Sequence, residues 1–277
     1  TLSGFVFDNG VLPEIYSGSE CHNLYPLTLG PDDEIPSGCD SSSSTELLEY
    51  GFLTPKYIVD SSDNFDMTEH KIFKGFRGPY LPASELDSEL KFKDGWGEDY
   101  SVDDNDSSLF KVSLENEFSG GAQKLDGFEI VVREISQYDW SIDIKELVIS
   151  VTNETSDSAN DLDSGIFVAL LIFTNDEESD ERWKTYSFSL PTNVTIAQGA
   201  SHSFGPGETD IDDWLINGEL LTPPPRIRIP VGRHLAVLYE SNDSGIPPSK
   251  NDIRGSKQFL LLPRSSIPTI NLTYLDN

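Results

Sequence analysis

Beyond about Ser136 the sequence breaks into short apolar pieces of strand length, at 140–144, 147–151, 166–173, 183–190, 194–196, 202–204, 227–229, 235–239, 258–262 and 267–274. Residues with turn chemistry separate them, among them Pro223-Pro224-Pro225 and the acidic stretches 175–181 and 210–213. An amphipathic helix would need apolar side chains recurring every three or four positions over about ten residues or more. Hardly any window here does that. The pieces at 140–144 and 147–151 alternate apolar with polar side chains, as half-buried strands do. The longest apolar stretch, 165–174, is strand-sized and far short of the roughly 18 apolar residues a membrane span requires. The pattern predicts a β-sandwich over 136–277. Its expected core positions are Trp140, Val148, Phe167, Leu170, Phe173, Leu235, Val237 and Leu260.

Residues 1–135 have a different texture. The stretch 17–45 is rich in Gly, Ser, Pro and Asp and holds both cysteines, which makes it a long loop. Ser43 and Glu46 stand at capping-box spacing before Leu47, Leu48 and Tyr50, and Gly51 can stop the turn, so one short helix is expected there. From 52 to about 100, short apolar pieces alternate with Pro, Gly and Asp without clear period. The segments 111–114 and 128–132 read as strands joined by a Gly-rich turn at Gly120-Gly121. The expected class is therefore α+β, mostly β. A domain over 1–135 with a small antiparallel sheet precedes a sandwich domain over 136–277.

Charge narrows the partners. The 277 residues carry 48 acidic against 19 basic side chains, a formal net charge of −29. Such a polyanion repels phosphates, so nucleic acid is not expected as a partner. It suits a secreted, saline or cation-rich setting. The deficit is larger in 1–135 (−18) than in 136–277 (−11), which favours the first part for any cation binding. Cys21 and Cys39 are the only cysteines, and a pair at short separation reads as a local disulfide in an oxidising, extracytoplasmic compartment. Two unrelated buried thiols are the plainer alternative. Asn-x-Ser/Thr sequons occur at Asn105, Asn153, Asn193, Asn242 and Asn271. They matter only in a eukaryotic secretory pathway, and several arise by chance in a Ser- and Asn-rich chain.

Catalytic signatures are missing. There is no Gly-x-Ser-x-Gly elbow, no His-Glu-x-x-His, no phosphate-binding loop and no dinucleotide fingerprint. His22, His70, His202 and His234 fall in unrelated segments, and His234 reads as a strand residue beside Arg233. No enzyme is expected. Hard cations take several oxygens on a Gly-containing loop, and three segments qualify: Asp103-Asp104-Asn105-Asp106, 115–126, and Asn160-Asp161-Leu162-Asp163-Ser164-Gly165. For each, a solvated acidic loop is the plainer reading.

The most specific segments are Gly75-Phe76-Arg77-Gly78-Pro79-Tyr80-Leu81-Pro82 and Asp94-Gly95-Trp96-Gly97-Glu98-Asp99-Tyr100. Physically, Gly78-Pro79 fixes a turn, and Gly95 and Gly97 allow tight backbone bends around one large ring. Together they resemble the globular part of type II secretion pseudopilins and related type IV pilin-like proteins. In that family a Gly-Pro-Tyr-Leu segment is followed by a Trp-Gly-x-x-Tyr segment and then by a short antiparallel sheet. Phe5 to Pro13 resembles the family's exit from its long N-terminal helix, and Ser113 to Gly121 with Asp126 to Ile130 resembles its calcium loop. The likeness covers about residues 1–135. Asp94-Gly95 stands where Asp-Pro is usual, and Glu115 and Glu117 occupy positions where Gly and Asp are common. Within 136–277, Pro230-Val231-Gly232-Arg233-His234 and Leu261-Leu262-Pro263-Arg264 distantly resemble Ig-like or transthyretin-like modules.

The resemblance implies an extracytoplasmic structural subunit of a bacterial secretion or pilus-like apparatus. It would work through protein surfaces, with other pilin-like subunits or secretion-apparatus proteins as partners. It also implies calcium held by Glu115, Glu117 and Asp126. The chain has no initiator Met and no signal peptide and reads as a processed or excised piece, so membrane contact is expected only through the family's apolar N-terminal helix, absent here. The alternative is a secreted binding module for a carbohydrate or cell-surface ligand, using the sandwich loops.

Overall fold

The unbroken apolar run Ile166–Phe173 forms a strand whose residues are all buried, so both of its faces are covered. The second half of the chain is built around it. The computed structural model describes the backbone of 16–17, 40–41, 51–53, 72–74, 100–106, 109–115, 129–138, 215–216 and 219–220. Side chains are described at Val6, 139–156, 161–162, 165–173, 183–191, 193–205, 227–240, 253–262 and 268–275.

In chain order the first strands are β1 (Tyr16–Ser17), β2 (Asp40–Ser41), β3 (Gly51–Leu53), β4 (Ile72–Lys74), β5 (Tyr100–Asp106), β6 (Leu109–Glu115) and β7 (Glu129–Ser136). One helical turn, α1 (Gln137–Trp140), follows. Then come β8 (Ser141–Asp143), β9 (Val148–Asn153), β10 (Ile166–Phe173), β11 (Trp183–Ser189), β12 (Ser201–Phe204), β13 (Leu215–Ile216) and β14 (Glu219–Leu220). The last are β15 (Arg228–Pro230), β16 (Gly232–Glu240), β17 (Ile253–Leu261) and β18 (Thr269–Tyr274). Among the described residues, helix is confined to α1, Val6 and a 3-10 turn at Ile144–Glu146. The described residues are mostly β, in several sheets.

Two compact units divide the chain. One comprises Thr1–Tyr50 and Gly75–Trp140, the other Gly51–Lys74 and Ser141–Asn277. In the first, β1 pairs with β2, and β5, β6 and β7 form an antiparallel three-stranded sheet. The ladder is irregular between Asp103 and Asp106. In the second, β3 pairs with β4, and an antiparallel six-stranded sheet runs β14-β13-β11-β10-β16-β17. A three-stranded sheet runs β12-β9-β18, with β18 parallel to β9. A short pair, β15 and β8, completes the unit.

One apolar cluster joins the two larger sheets. Ile166, Val168, Leu170 and Ile172 of β10 enter it with Phe188 of β11 and Leu238 of β16. Ile149 and Val151 of β9, Phe204 of β12, and Ile270 and Leu272 of β18 meet them from the smaller sheet. The Phe188 and Phe204 rings meet edge-on, with centroids 5.8 Å apart. Burying each such side chain stabilises the fold by about 1.5–3 kcal/mol before entropy is counted. The opposite face of the six-stranded sheet is also apolar and buried. Phe167, Ala169, Leu171 and Phe173 lie in register there with Tyr239, Val237, Leu235 and Trp183. Phe167 stacks on Tyr239 at 5.4 Å, and Phe173 meets Trp183 edge-on at 5.2 Å.

The strand expectations hold at 166–173 and, within a few residues at their ends, at 111–114, 128–132, 147–151, 183–190, 202–204, 227–229, 235–239, 258–262 and 267–274. The piece at 140–144 is cut to Ser141–Asp143, and that at 194–196 is replaced. Trp140 ends α1 instead of starting a strand, and the chain turns again at Ile144. Asp143 causes the second turn: its carboxylate accepts the Lys145 N–H at 3.0 Å and caps the 3-10 turn. The piece at 194–196 contributes a single bridge, Ile196 to Leu162, because the chain has just turned at Pro191–Val194. Asp103 to Asp106, expected as an acidic loop, belongs to β5. Of the expected core positions, Phe167, Leu170, Phe173, Leu235 and Val237 are buried, but Trp140, Val148 and Leu260 are half-buried. The helix expected at 43–50 lies outside the described residues.

Candidate functional site: a charged corner and an uncharged sheet face

Glu240, Arg254 and Tyr274 converge where the ends of β16, β17 and β18 meet. The ladder between β16 and β17 slips by one residue there: Leu238 faces Gly255, Tyr239 faces Ile253, and Arg254 is the extra residue. A bulge of this kind re-aims a side chain. Arg254 Nη2 donates to Glu240 Oε2 at 2.8 Å, and the Tyr274 hydroxyl donates to Glu240 Oε1. The Leu275 N–H donates to the Arg254 carbonyl at 3.1 Å, so this strand serves both sheets. Gly255 is what lets the backbones come so close, since a Cβ there would lie 2.1 Å from the Thr273 carbonyl oxygen. Glu240 holds Arg254 above its usual value, and burial first, then the bond to Glu240, pushes Tyr274 up to about 12. A cation, a carboxylate and a phenol locked on one another can clamp two sheets. Neither the guanidinium nor the phenol is poised for acid–base work near neutral pH.

Other buried polar groups are structural. His234 is fully buried; its Nδ1 accepts the Phe173 N–H at 3.4 Å and its Nε2 donates to the Pro230 carbonyl at 2.8 Å. That pairing fixes the neutral Nε2–H tautomer. Asn153 is fully buried too, its amide donating to the Ile196 carbonyl at 2.9 Å and accepting the Thr155 N–H at 3.1 Å. The indole N–H of Trp140 and Nε2 of His202 are buried without a partner.

The three-stranded sheet turns its other side outward. Alternation points Ser201 and Ser203 of β12 and Thr269 and Asn271 of β18 away from the core and exposed, with Val148, Thr152 and Thr273 half-buried beside them, while Ser150 at the middle of β9 is buried. Thr152 and Ser201 share a hydrogen bond of 2.8 Å. In a chain of net charge −29, the described residues of this face carry hydroxyls and an amide but no charged side chain.

The expected metal set is placed only in part. Glu115 ends β6, its backbone in register with Glu129, while Glu117 and Asp126 lie outside the described residues. Among the described residues no three potential ligands come together. Cys21 and Cys39 also lie outside them, but the pairing of Tyr16 with Ser41 and of Ser17 with Asp40 closes the stretch that contains both. No described helix is long and apolar enough to cross a membrane. The corner went unread in the sequence, because Arg254, Gly255 and Ser256 carry no apolar alternation that would mark them as strand. Comparison with known proteins adds nothing to this geometry: no family model, curated protein or solved structure matches the chain.

A pH effect follows from the second sheet face. Burial pushes the Tyr239 phenol up to about 12, against a lowering hydrogen bond from Ser187. A tyrosine raised above its unfolded value of about 10 gives stability that is complete below pH 10 and lost as pH rises through 12. The shift corresponds to about 2–3 kcal/mol. Denaturant titrations from pH 9 to 12 should show stability falling more steeply in wild type than in Tyr239→Phe. Parallel curves would remove Tyr239 as the cause.

Proposed function

We propose that this chain is an extracytoplasmic, pilin-like structural subunit that works through protein surfaces rather than catalysis. The observation that carries the reading is the position of the small sheet. β5 begins at Tyr100, the last residue of the Trp96-Gly97-Glu98-Asp99-Tyr100 segment, and β6 and β7 follow as antiparallel neighbours. That is where the resemblance puts a short antiparallel sheet. Val6, helical and fully buried, sits where the family's long helix gives way to the globular part. The two facing sheets of the second unit are then an appended sandwich of Ig-like or transthyretin-like kind, available to a partner subunit. Calcium at Glu115, Glu117 and Asp126 belongs to the same reading. The test is the gene and the cell together. In-frame codons upstream of Thr1 should encode a prepilin leader with a Gly-Phe-Thr-Leu-Ile-Glu-like start, and the protein should be recovered with sheared surface filaments. Neither being found would end the proposal.

A second reading, a secreted binding module, draws support from the uncharged outward face of β12, β9 and β18. The exposed hydroxyls of Ser201, Ser203 and Thr269 and the Asn271 amide can hydrogen-bond a neutral polar ligand such as a carbohydrate. An ordinary cleaved signal peptide in place of a prepilin leader would favour it.

A further inference from the structure

The structure separates the described sequons physically. Asn153 has no exposure, and both ends of its amide are bonded within the core. Asn271 is exposed but fixed in the β18–β9 ladder, which runs without a break from Thr269 opposite Val148 to Tyr274 opposite Asn153. Asn193 is different. It lies in the turn closed by the Val194 N–H donating to the Pro191 carbonyl at 2.9 Å, outside every named strand. Asn193 is exposed, Val194 is buried in the apolar cluster, Thr195 is exposed, and Ile196 is buried and bridged to Leu162. This alternation anchors the segment through Val194 and Ile196 while turning the Asn193 amide and the Thr195 hydroxyl outward together.

We propose that Asn193 is the acceptor of an Asn-linked oligosaccharide. Surface presentation on a turn, with the hydroxyl two residues on facing the same way, is the geometry a sequon needs to enter a transferase. The co-reactant is an oligosaccharide carried on a lipid phosphate. Asn193 Nδ2 forms a bond to the anomeric carbon, the bond from that carbon to the phosphate oxygen breaks, an amide proton is released, and the lipid phosphate leaves. The attached chain would cover the exposed loop between β11 and β12 without adding charge. The inference rests on the second reading, a secreted module, in a cell with a eukaryotic secretory pathway, where lipid-linked donors are used outside the cytoplasm.

The test uses the chain isolated from its own cells, fractionated by compartment and digested, with the mass of the Asn193 peptide read directly. The expected result is a sugar-bearing Asn193 peptide and an unmodified Asn153 peptide. Thr195→Ala, which leaves Asn193 and its turn in place, should abolish the added mass, and Thr195→Ser should restore part of it. An unmodified Asn193 peptide in an extracytoplasmic chain overturns the proposal alone. A chain found only in the cytoplasm overturns the location reading, and this inference with it. Added mass that persists in Thr195→Ala would also overturn it, since the sequon would then not direct the modification.

Discussion

Gly255→Ala is expected to cost about 3 kcal/mol or more, at the upper end of overpacking substitutions, and to lower Tm by roughly 6–12 °C. The added methyl would sit 2.1 Å from the Thr273 carbonyl oxygen, closer than any real contact. The obstacle is backbone, and neither strand is free to yield. β17 is bonded along its length to β16, and β18 is bonded to β9. Relief would require opening the corner, which draws Tyr274 and Arg254 away from Glu240. Gly199→Ala is the informative control. That glycine has φ +72° and nothing within 4 Å of its missing Cβ. It should therefore cost only the left-handed strain of about 1–2 kcal/mol. Thermal or denaturant unfolding of both variants measures the difference. A Gly255→Ala loss no larger than that of Gly199→Ala would mean that the two backbones separate easily.

The comparison of sequence with structure turns on which signals were local. The run Ile166–Phe173 was too short for a typical helix and rich in β-branched and aromatic side chains, and it became the central strand. Its apolar neighbours in β11 and β16 were legible for the same reason. β17 was legible only from 258 onward, because Arg254, Gly255 and Ser256 carry no apolar signal and their strand character comes from pairing. β5 was hidden behind Asp103 to Asp106, residues that disfavour strands when alone but are held here by β6. The expected core list mixed residues from both faces of one sheet: Leu170 enters the cluster between the sheets, whereas Phe167, Phe173, Leu235 and Val237 face the other way. Alternation within a strand assigns faces only when one of them is polar, and β10 has no polar face. The corner of Glu240, Arg254 and Tyr274 joins positions far apart in sequence with no motif between them. Only the bulge at Arg254 brings them together.

That second apolar face leads to the other large expected effect. A chain limited to residues 141–277 should aggregate, whereas the same residues joined through a short linker to 51–74 should stay soluble. The face built from Phe167, Leu171, Phe173, Trp183, Leu235, Val237 and Tyr239 is buried, so it needs cover beyond the six-stranded sheet itself. The compact unit holding that sheet includes Gly51–Lys74 from the first half of the chain, and β4 lies against β16. Four of these side chains are aromatic, and each can bury about 150–250 Å². Exposing them together would create an apolar patch larger than the few hundred Å² that soluble monomers tolerate. Size-exclusion chromatography and binding of a hydrophobic dye measure the outcome. Aggregation of 141–277 that 51–74 relieves assigns the cover to the β3–β4 segment. A soluble, dye-silent 141–277 chain would show instead that its own residues cover the face, and that Gly51–Lys74 contributes little to keeping it from water.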